Sequence, residues 1–294
     1  MSDLITMDDL SNDEILEILD TAERLLPVAN GDVYAPLLQG KVLGNLFFEN
    51  STRTRMSFES AMKRLGGEVV NLSSVGSSVA KGETLYDTMQ MVDGYSDIAV
   101  IRHPRQGAAQ YSADAIGIPI LNAGDGAGNH PTQTMLDLFT IRQAHGTLEG
   151  LNVVLVGDLR YGRTTHSLSH ALVRFGAKLT LVSPDSLRMP TEIVDDLQSH
   201  DTEVMESEDL SGAIADADVI YMTRIQKERF PDEDEYTKVA GIYKMTADNL
   251  AEAKGGMIVM HPLPRVDEID PSVDSTKHAR YFQQAFNGVP TRMA

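Results

Sequence analysis

The chain has 294 residues, enough for two ordinary domains or one large one, and its 42% apolar content supplies a core and excludes wholesale disorder. A formal charge of −18 disfavours nucleic acid and membrane lipid as partners, and the absence of cysteine excludes disulfides, thiolate metal sites and a thiol nucleophile. The opening MSDLITMDDLSNDE is acidic where a signal peptide is basic and then apolar, and no run approaches the roughly 18 apolar residues of a membrane span, so a soluble, cytoplasmic protein is expected.

From the N-terminus, Ser11 and Glu14 make a capping box for a helix expected over 11–26. The strand-like run VLGNLFF follows, and then a helix over 54–65. A strand at 69–72 leads into SSVGSSVAKG (73–82), a serine- and glycine-rich loop, and a helix at 83–92. Strands at 97–102 and 118–123 precede DGAGNHPTQT (125–134), in which Pro131 opens a long helix whose pattern runs over 132–144. His145, Gly146 and Thr147 close that helix and mark a domain boundary. Beyond it come a strand at 152–157, a helix at 164–175, and strands at 178–183, 202–206, 218–223 and 256–262. The polar segment 226–243, QKERFPDEDEYTKVAGIY, has no clear period and is expected to be a functional, moving loop. Strands alternating with helices predict an α/β fold of two lobes, each a parallel sheet flanked by helices, joined by the long helix. Ligands then sit at the carboxyl ends of the strands.

Within FFENSTRTRMSF (47–58), Ser51, Thr52 and Thr54 offer hydroxyls and Arg53 and Arg55 offer guanidinium groups where a strand gives way to a helix. A helix N-terminus already favours anions through its free N–H groups and its dipole. Two cations in a first turn oppose that dipole unless an anion joins them, so a phosphate site fits better than a merely capped surface helix. From Gly157 to Thr164 the chain reads G-x-x-x-x-G-R-T, a P-loop pattern with Arg163 in the lysine position. Asp158 is badly placed for a triphosphate, which favours a turn presenting Arg163 and Tyr161 to a ligand carboxylate over nucleotide hydrolysis. Three strand ends also carry arginine: Arg102-His103-Pro104, Thr223-Arg224-Ile225-Gln226 and His261-Pro262-Leu263-Pro264-Arg265. Any one of them alone reads as a solvated strand end, but three together point to a guanidinium-rich cleft. His130 and Gln133 project from the helix start at Pro131, whereas His145, His200 and His278 read as structural.

The motifs S-T-R-T-R, H-P-T-Q, G-R-T-x-H-S-L and H-P-L-P-R, in that order, resemble the carbamoyltransferase family, its aspartate branch most closely, over nearly the whole chain. The resemblance implies a carbamoyl phosphate-binding domain at 1–131, with 281–294 packing back on it, and an aspartate-binding domain at 146–280. Ser51, Thr52, Arg53 and Thr54 would bind the phosphate with help from Arg102. His130, Thr54 and Arg102 would hold the carbamoyl oxygen, Gln133 would lie near the carbamoyl nitrogen, and the backbone at Pro262 and Leu263 would close on the carbamoyl group and the amine. The catalytic set would be His130, Arg102, Thr54 and Arg53. L-Aspartate brings two carboxylates, which Arg163 and Arg224 would meet with Gln226 adjacent. Ornithine relatives typically carry cysteine where this chain has Pro262.

An S-x-x-x-K pattern falls on Ser77 and Lys81, which in the family reach into the neighbouring subunit's site, Lys81 touching aspartate there. A homotrimer with shared sites is therefore implied, with scope for a separate regulatory chain. The chemistry implied is attack of a neutral α-amino group on the carbamoyl carbon, through a tetrahedral oxyanion. It involves no covalent intermediate, cofactor or metal, and is the committed step of pyrimidine biosynthesis. Transfer to ornithine and non-catalytic anion binding are the alternatives. Family chains continue past the position of VPTRMA into an apolar helix that packs on the first lobe, and this sequence is expected to lack it.

Overall fold

A computed structural model describes residues 2–74, 77–126, 128–225, 232, 236–237 and 239–294. The chain divides into two compact units, Met1–Phe139 with Phe286–Ala294, and Thr140–Ala285.

The first unit opens with α1 (Asn12–Asn30), where the Ser11 hydroxyl accepts the Glu14 N–H and the Glu14 carboxylate accepts the Ser11 N–H. Strands β1 (Val42–Phe47), β2 (Glu68–Ser73), β3 (Ile98–His103) and β4 (Ile120–Asp125) form one parallel sheet in the order β2-β1-β3-β4. Helices α2 (Thr52–Arg64), α3 (Leu85–Tyr95) and α4 (Ala108–Ala115) connect them, and α5 (Pro131–His145) follows β4. Side chains alternate across the pleat, so Leu46, Ala99 and Ile101 pack on one face with Met89 of α3 and Ala109 of α4. Leu43, Phe47 and Val100 pack on the other with Phe58 and Met62 of α2. The same alternation places Arg102 on the face that carries α2. Its register partner on β1 is Phe47.

In the second unit, β5 (Asn152–Val156), β6 (Lys178–Val182), β7 (Val204–Ser207), β8 (Val219–Met222) and β9 (Ile258–Met260) are all parallel, in the order β7-β6-β5-β8-β9. Helices α6 (Arg163–Val173), α7 (Thr191–Gln198) and α8 (Leu210–Ile214) belong to this unit. The core is a cluster that includes Val154, Val156, Ile220, Met222, Met245, Val259 and Tyr281. Removing each such side chain from water contributes about 1.5–3 kcal/mol. Each sheet reverses its order once, between β1 and β3 and between β5 and β8, and parallel α/β sheets bind ligands at that reversal.

Both sheets are parallel and helix-flanked, and all nine expected strands form. Helix α2 begins at Thr52 instead of 54, because Ser51 is its N-cap. Helices α4, α7 and α8 fall between strands, where the alternation predicts helices, although the pattern gave them no bounds. Helix α9 (Tyr281–Met293) forms over the segment 281–294 that was expected to pack back on the first unit. Phe286, Val289 and Met293 of α9 pack there with Val28, Ala29, Ala61 and Leu65.

Candidate active site

In the first unit three strand ends converge on the switch point. Ser51 caps α2 with extended backbone (φ −156°, ψ 114°), yet its hydroxyl makes no capping bond, so the first-turn N–H groups keep their capacity for an anion. Thr54 is buried and Arg53 is exposed. Partial burial and the nearby charge of Arg102 both push the Arg53 pKa down, because each disfavours the charged guanidinium. Arg102 is held from two sides: Nη2 donates to Glu49 Oε1 at 2.8 Å and Nη1 to the Ala123 carbonyl at 3.2 Å. Its Nε is buried without a hydrogen-bond partner. An incoming phosphate would compete with Glu49 for this guanidinium.

The loop after β4 places His130. Buried Asp125 accepts the N–H groups of Gly107 at 2.8 Å and Asn129 at 2.7 Å, and the Asn122 amide at 3.3 Å. Gly126 has φ +58°, and a Cβ there would stand 2.6 Å from the Pro104 carbonyl. The loop so locked delivers His130, 4% exposed, to the head of α5, where its carbonyl accepts the N–H of Gln133 at 2.9 Å. Ser51, Thr52, Arg53, Thr54, Arg102, His130 and Gln133 therefore all stand at strand ends or helix starts on one edge of one sheet.

In the second unit the turn after β5 is shaped by Asp158. Its buried carboxylate accepts the Tyr161 N–H at 2.9 Å, and its own N–H donates to Thr223 Oγ1 at 3.1 Å. Gly157, at φ +115°, lies against Thr223, where a Cβ would come within 2.5 Å of the carbonyl. A carboxylate inside the turn is incompatible with a triphosphate cradle. Arg163 is instead the first residue of α6 and half-buried, and Arg224 is half-buried two residues past the end of β8. Both stand at the second switch point. Gln226 and most of the 226–243 segment lie outside the described residues.

After β9 the chain makes a braced turn. His261 Nε2 donates to Glu268 Oε1 at 2.6 Å, and His261 Nδ1 accepts the Leu263 N–H at 2.8 Å. Glu268 Oε2 accepts the N–H groups of Val266 and Asp267, both at 3.1 Å. Leu263 is thereby held at φ +57°, a conformation that costs a non-glycine residue about 1–3 kcal/mol. The Leu263–Pro264 peptide is cis. Arg265 is not part of a guanidinium-rich cleft. It pairs bidentately with Asp274 and stacks on Tyr281 and Phe282. On β2's side, Ser77 precedes a 3-10 turn (Ser78–Lys81) that ends with Lys81 exposed. Sequence reading missed Glu49 and the His261–Glu268 brace, although both adjoin motifs it singled out. It also missed Asp137 and Arg292, for which no local pattern exists.

The fold and the site together define a two-unit α/β protein with arginine side chains gathered at the switch point of each sheet. The family model described as the aspartate/ornithine carbamoyltransferase carbamoyl-P binding domain matches residues 2–143, and the corresponding Asp/Orn binding domain matches 149–294. The chain belongs to the aspartate/ornithine carbamoyltransferase family. It is 57% identical to the aspartate carbamoyltransferase catalytic subunit of Archaeoglobus fulgidus, over all of this chain and 97% of that one. With its counterpart from Methanococcoides burtonii it shares 56% identity over 99% of this chain and 94% of the relative. Among solved structures, the catalytic subunit of M. jannaschii aspartate transcarbamoylase superimposes with a TM-score of 0.93 at 50% identity, covering 100% of this chain and 96% of that one. The Trypanosoma cruzi aspartate transcarbamoylase in complex with N-(phosphonacetyl)-L-aspartic acid gives a TM-score of 0.94 at 41% identity, covering 99% and 94%.

Proposed function

We propose that this chain is the catalytic chain of an aspartate carbamoyltransferase. It moves the carbamoyl group of carbamoyl phosphate to the α-amino group of L-aspartate, releasing phosphate. The observation that carries this reading is the register of Phe47 with Arg102, which puts a guanidinium group with an unpartnered Nε beside the N-terminus of α2, whose capping serine makes no cap. In this reading the first unit is the carbamoyl phosphate domain. Ser51, Thr52, Arg53 and Thr54 hold the phosphate with Arg102, while Thr54, Arg102 and His130 hold the carbonyl oxygen and Gln133 meets the carbamoyl nitrogen. The second unit is the aspartate domain: Arg163 and Arg224 take the two carboxylates, with Gln226 beside them, and the Leu263 backbone closes on the reacting groups.

The neutral amine attacks the carbamoyl carbon, a C–N bond forms, and the carbonyl oxygen becomes an oxyanion facing His130 and Arg102. Collapse restores the carbonyl and breaks the C–O bond to the phosphate, which departs and takes up the proton shed by the nitrogen. Catalysis lies in holding two anionic substrates in reacting geometry and in donors aimed at the oxyanion, so neither a covalent intermediate nor a cofactor enters. Ser77 and Lys81 act in the neighbouring subunit's site of a homotrimer, and a separate regulatory chain belongs to the same proposal, since the relatives are named as catalytic subunits. The place of action is the cytoplasm, in pyrimidine synthesis. Among the described residues no helix is long and apolar enough to cross a membrane. The deciding assay offers carbamoyl phosphate with L-aspartate and with L-ornithine in parallel. Carbamoyl aspartate alone is expected. Citrulline would overturn the roles of Arg224 and Gln226, and neither product would reduce the chain to an anion-binding relative.

A further inference from the structure

Arg292 lies near the end of α9, in the part that belongs to the first unit. Its Nη1 donates to Ser57 Oγ at 2.6 Å, Nη2 reaches Thr132 Oγ1 at 3.5 Å, and Cζ stands 4.7 Å from the centre of the Phe58 ring. Its Nε is buried without a partner. The guanidinium folds back over residue 288, where a Cβ would come within 2.4 Å of Nη1, so a larger residue there would push it aside. It thus ties α2, through Ser57, to the start of α5, the two helices that carry the anion site. Ser57 Oγ in turn bonds the carbonyls of Arg53 at 2.7 Å and Thr54 at 2.9 Å. Burial pushes the Arg292 pKa down to about 9, with Asp137 pulling it up and Arg102 pressing it further down. A leucine or methionine would fill this space without a desolvation cost, so the cation has a task beyond packing.

That task leads through Asp137, which is fully buried and accepts the Gln133 Nε2–H at 3.0 Å. A carboxylate can only accept, so the NH2 end of the Gln133 amide is fixed toward Asp137 and Oε1 is the end left for a ligand. A carbamoyl nitrogen carries N–H donors and needs an acceptor. We infer that Asp137 is a specificity-determining residue that turns the Gln133 amide so that its oxygen selects the carbamoyl NH2. Arg292 acts at one remove, as a positioning residue. The inference rests on the assignment of Gln133 to the carbamoyl nitrogen made above.

Acetyl phosphate is the informative probe, because it replaces that NH2 with a methyl group and leaves the phosphate and carbonyl unchanged. Dissociation constants for carbamoyl phosphate, acetyl phosphate and inorganic phosphate are measured on the full chain. In Asp137→Asn the preference for carbamoyl over acetyl phosphate is expected to fall about tenfold, the worth of one well-placed hydrogen bond, while inorganic phosphate binding stays within about threefold. A merely structural role would weaken all three ligands together. Arg292→Met is expected to reproduce the loss of preference, and Arg292→Lys, which keeps a cation, to retain most of it. Should Asp137→Asn fail to fold, the double variant Asp137→Leu/Arg292→Leu leaves no uncompensated buried charge and reads the same ratio. An unchanged ratio in a folded variant lacking Asp137 overturns the inference while leaving the transferase reading intact. A native chain that shows no preference and makes no carbamoyl aspartate overturns the transferase reading itself.

Discussion

Arg102 commits one donor to Glu49 and one to the Ala123 carbonyl, and its remaining Nε is buried and unsatisfied. Leaving such a donor unpaired costs about 1–3 kcal/mol, which a ligand oxygen would recover. His130 is delivered by the Asp125-locked loop after the neighbouring strand β4. If these two groups stabilise the developing oxyanion, their loss acts on the transition state more than on substrate binding. Arg102→Ala and His130→Ala should each lower kcat by about 10²–10³-fold, the usual worth of one preorganised donor. Circular dichroism and thermal melting should stay close to those of the native chain. Native turnover in either variant would remove that residue from the catalytic set.

At the scale of elements, the turn after β9 is braced by a buried His261–Glu268 pair and three backbone N–H groups. Burial alone would raise the Glu268 pKa, but hydrogen bonds from His261 and two backbone N–H groups outweigh it and bring it down from 4.5 to about 2. A carboxyl group whose folded pKa is depressed contributes stability that is complete above its unfolded pKa and lost as pH falls toward the folded value. Thermal stability should therefore drop between about pH 4.5 and 2, and Glu268→Gln should remove this component and cost about 1–3 kcal/mol at pH 7. A melting temperature that falls with acid equally in both proteins would show that the brace carries no such linkage. Local pattern revealed this element only in part. H-P-L-P-R was visible as a strand end, but Arg265 looked like a site residue because its partner Asp274 lies in a 3-10 turn with no signature. Contiguous chemistry such as S-T-R-T-R was readable because charge and helix start coincide in five residues. Helix α9 was not, since Gly288 and Pro290 both argue against a helix. Packing of Phe286, Val289 and Met293 overrides them, and Gly288 leaves room for Arg292. The Arg292–Thr132 contact joins residues 160 positions apart, and a single sequence carries no trace of such a pair.

At the scale of the whole molecule, the first unit presents its proposed phosphate site at one switch point, while the S-x-x-x-K arm occupies the turn after edge strand β2. Lys81 is exposed on a short 3-10 turn, a poor investment for a core and a suitable tip for a residue that serves another chain. The proposed homotrimer makes this testable without any structure of the assembly. Lys81→Ala should disable the site of the neighbour, and Arg53→Ala the site of its own chain, so each variant alone has no complete site. When the two are unfolded, mixed in equal amounts and refolded, a site is intact only where an Arg53-bearing chain meets a Lys81-bearing neighbour. Random cyclic assembly gives that combination in about a quarter of sites, so about a quarter of native activity should return. The mass of the assembly, measured by light scattering, should equal three chains in native and mixed samples alike. If mixing restores nothing while both variants remain trimeric, Lys81 serves its own chain or no site at all, and the active site is not shared.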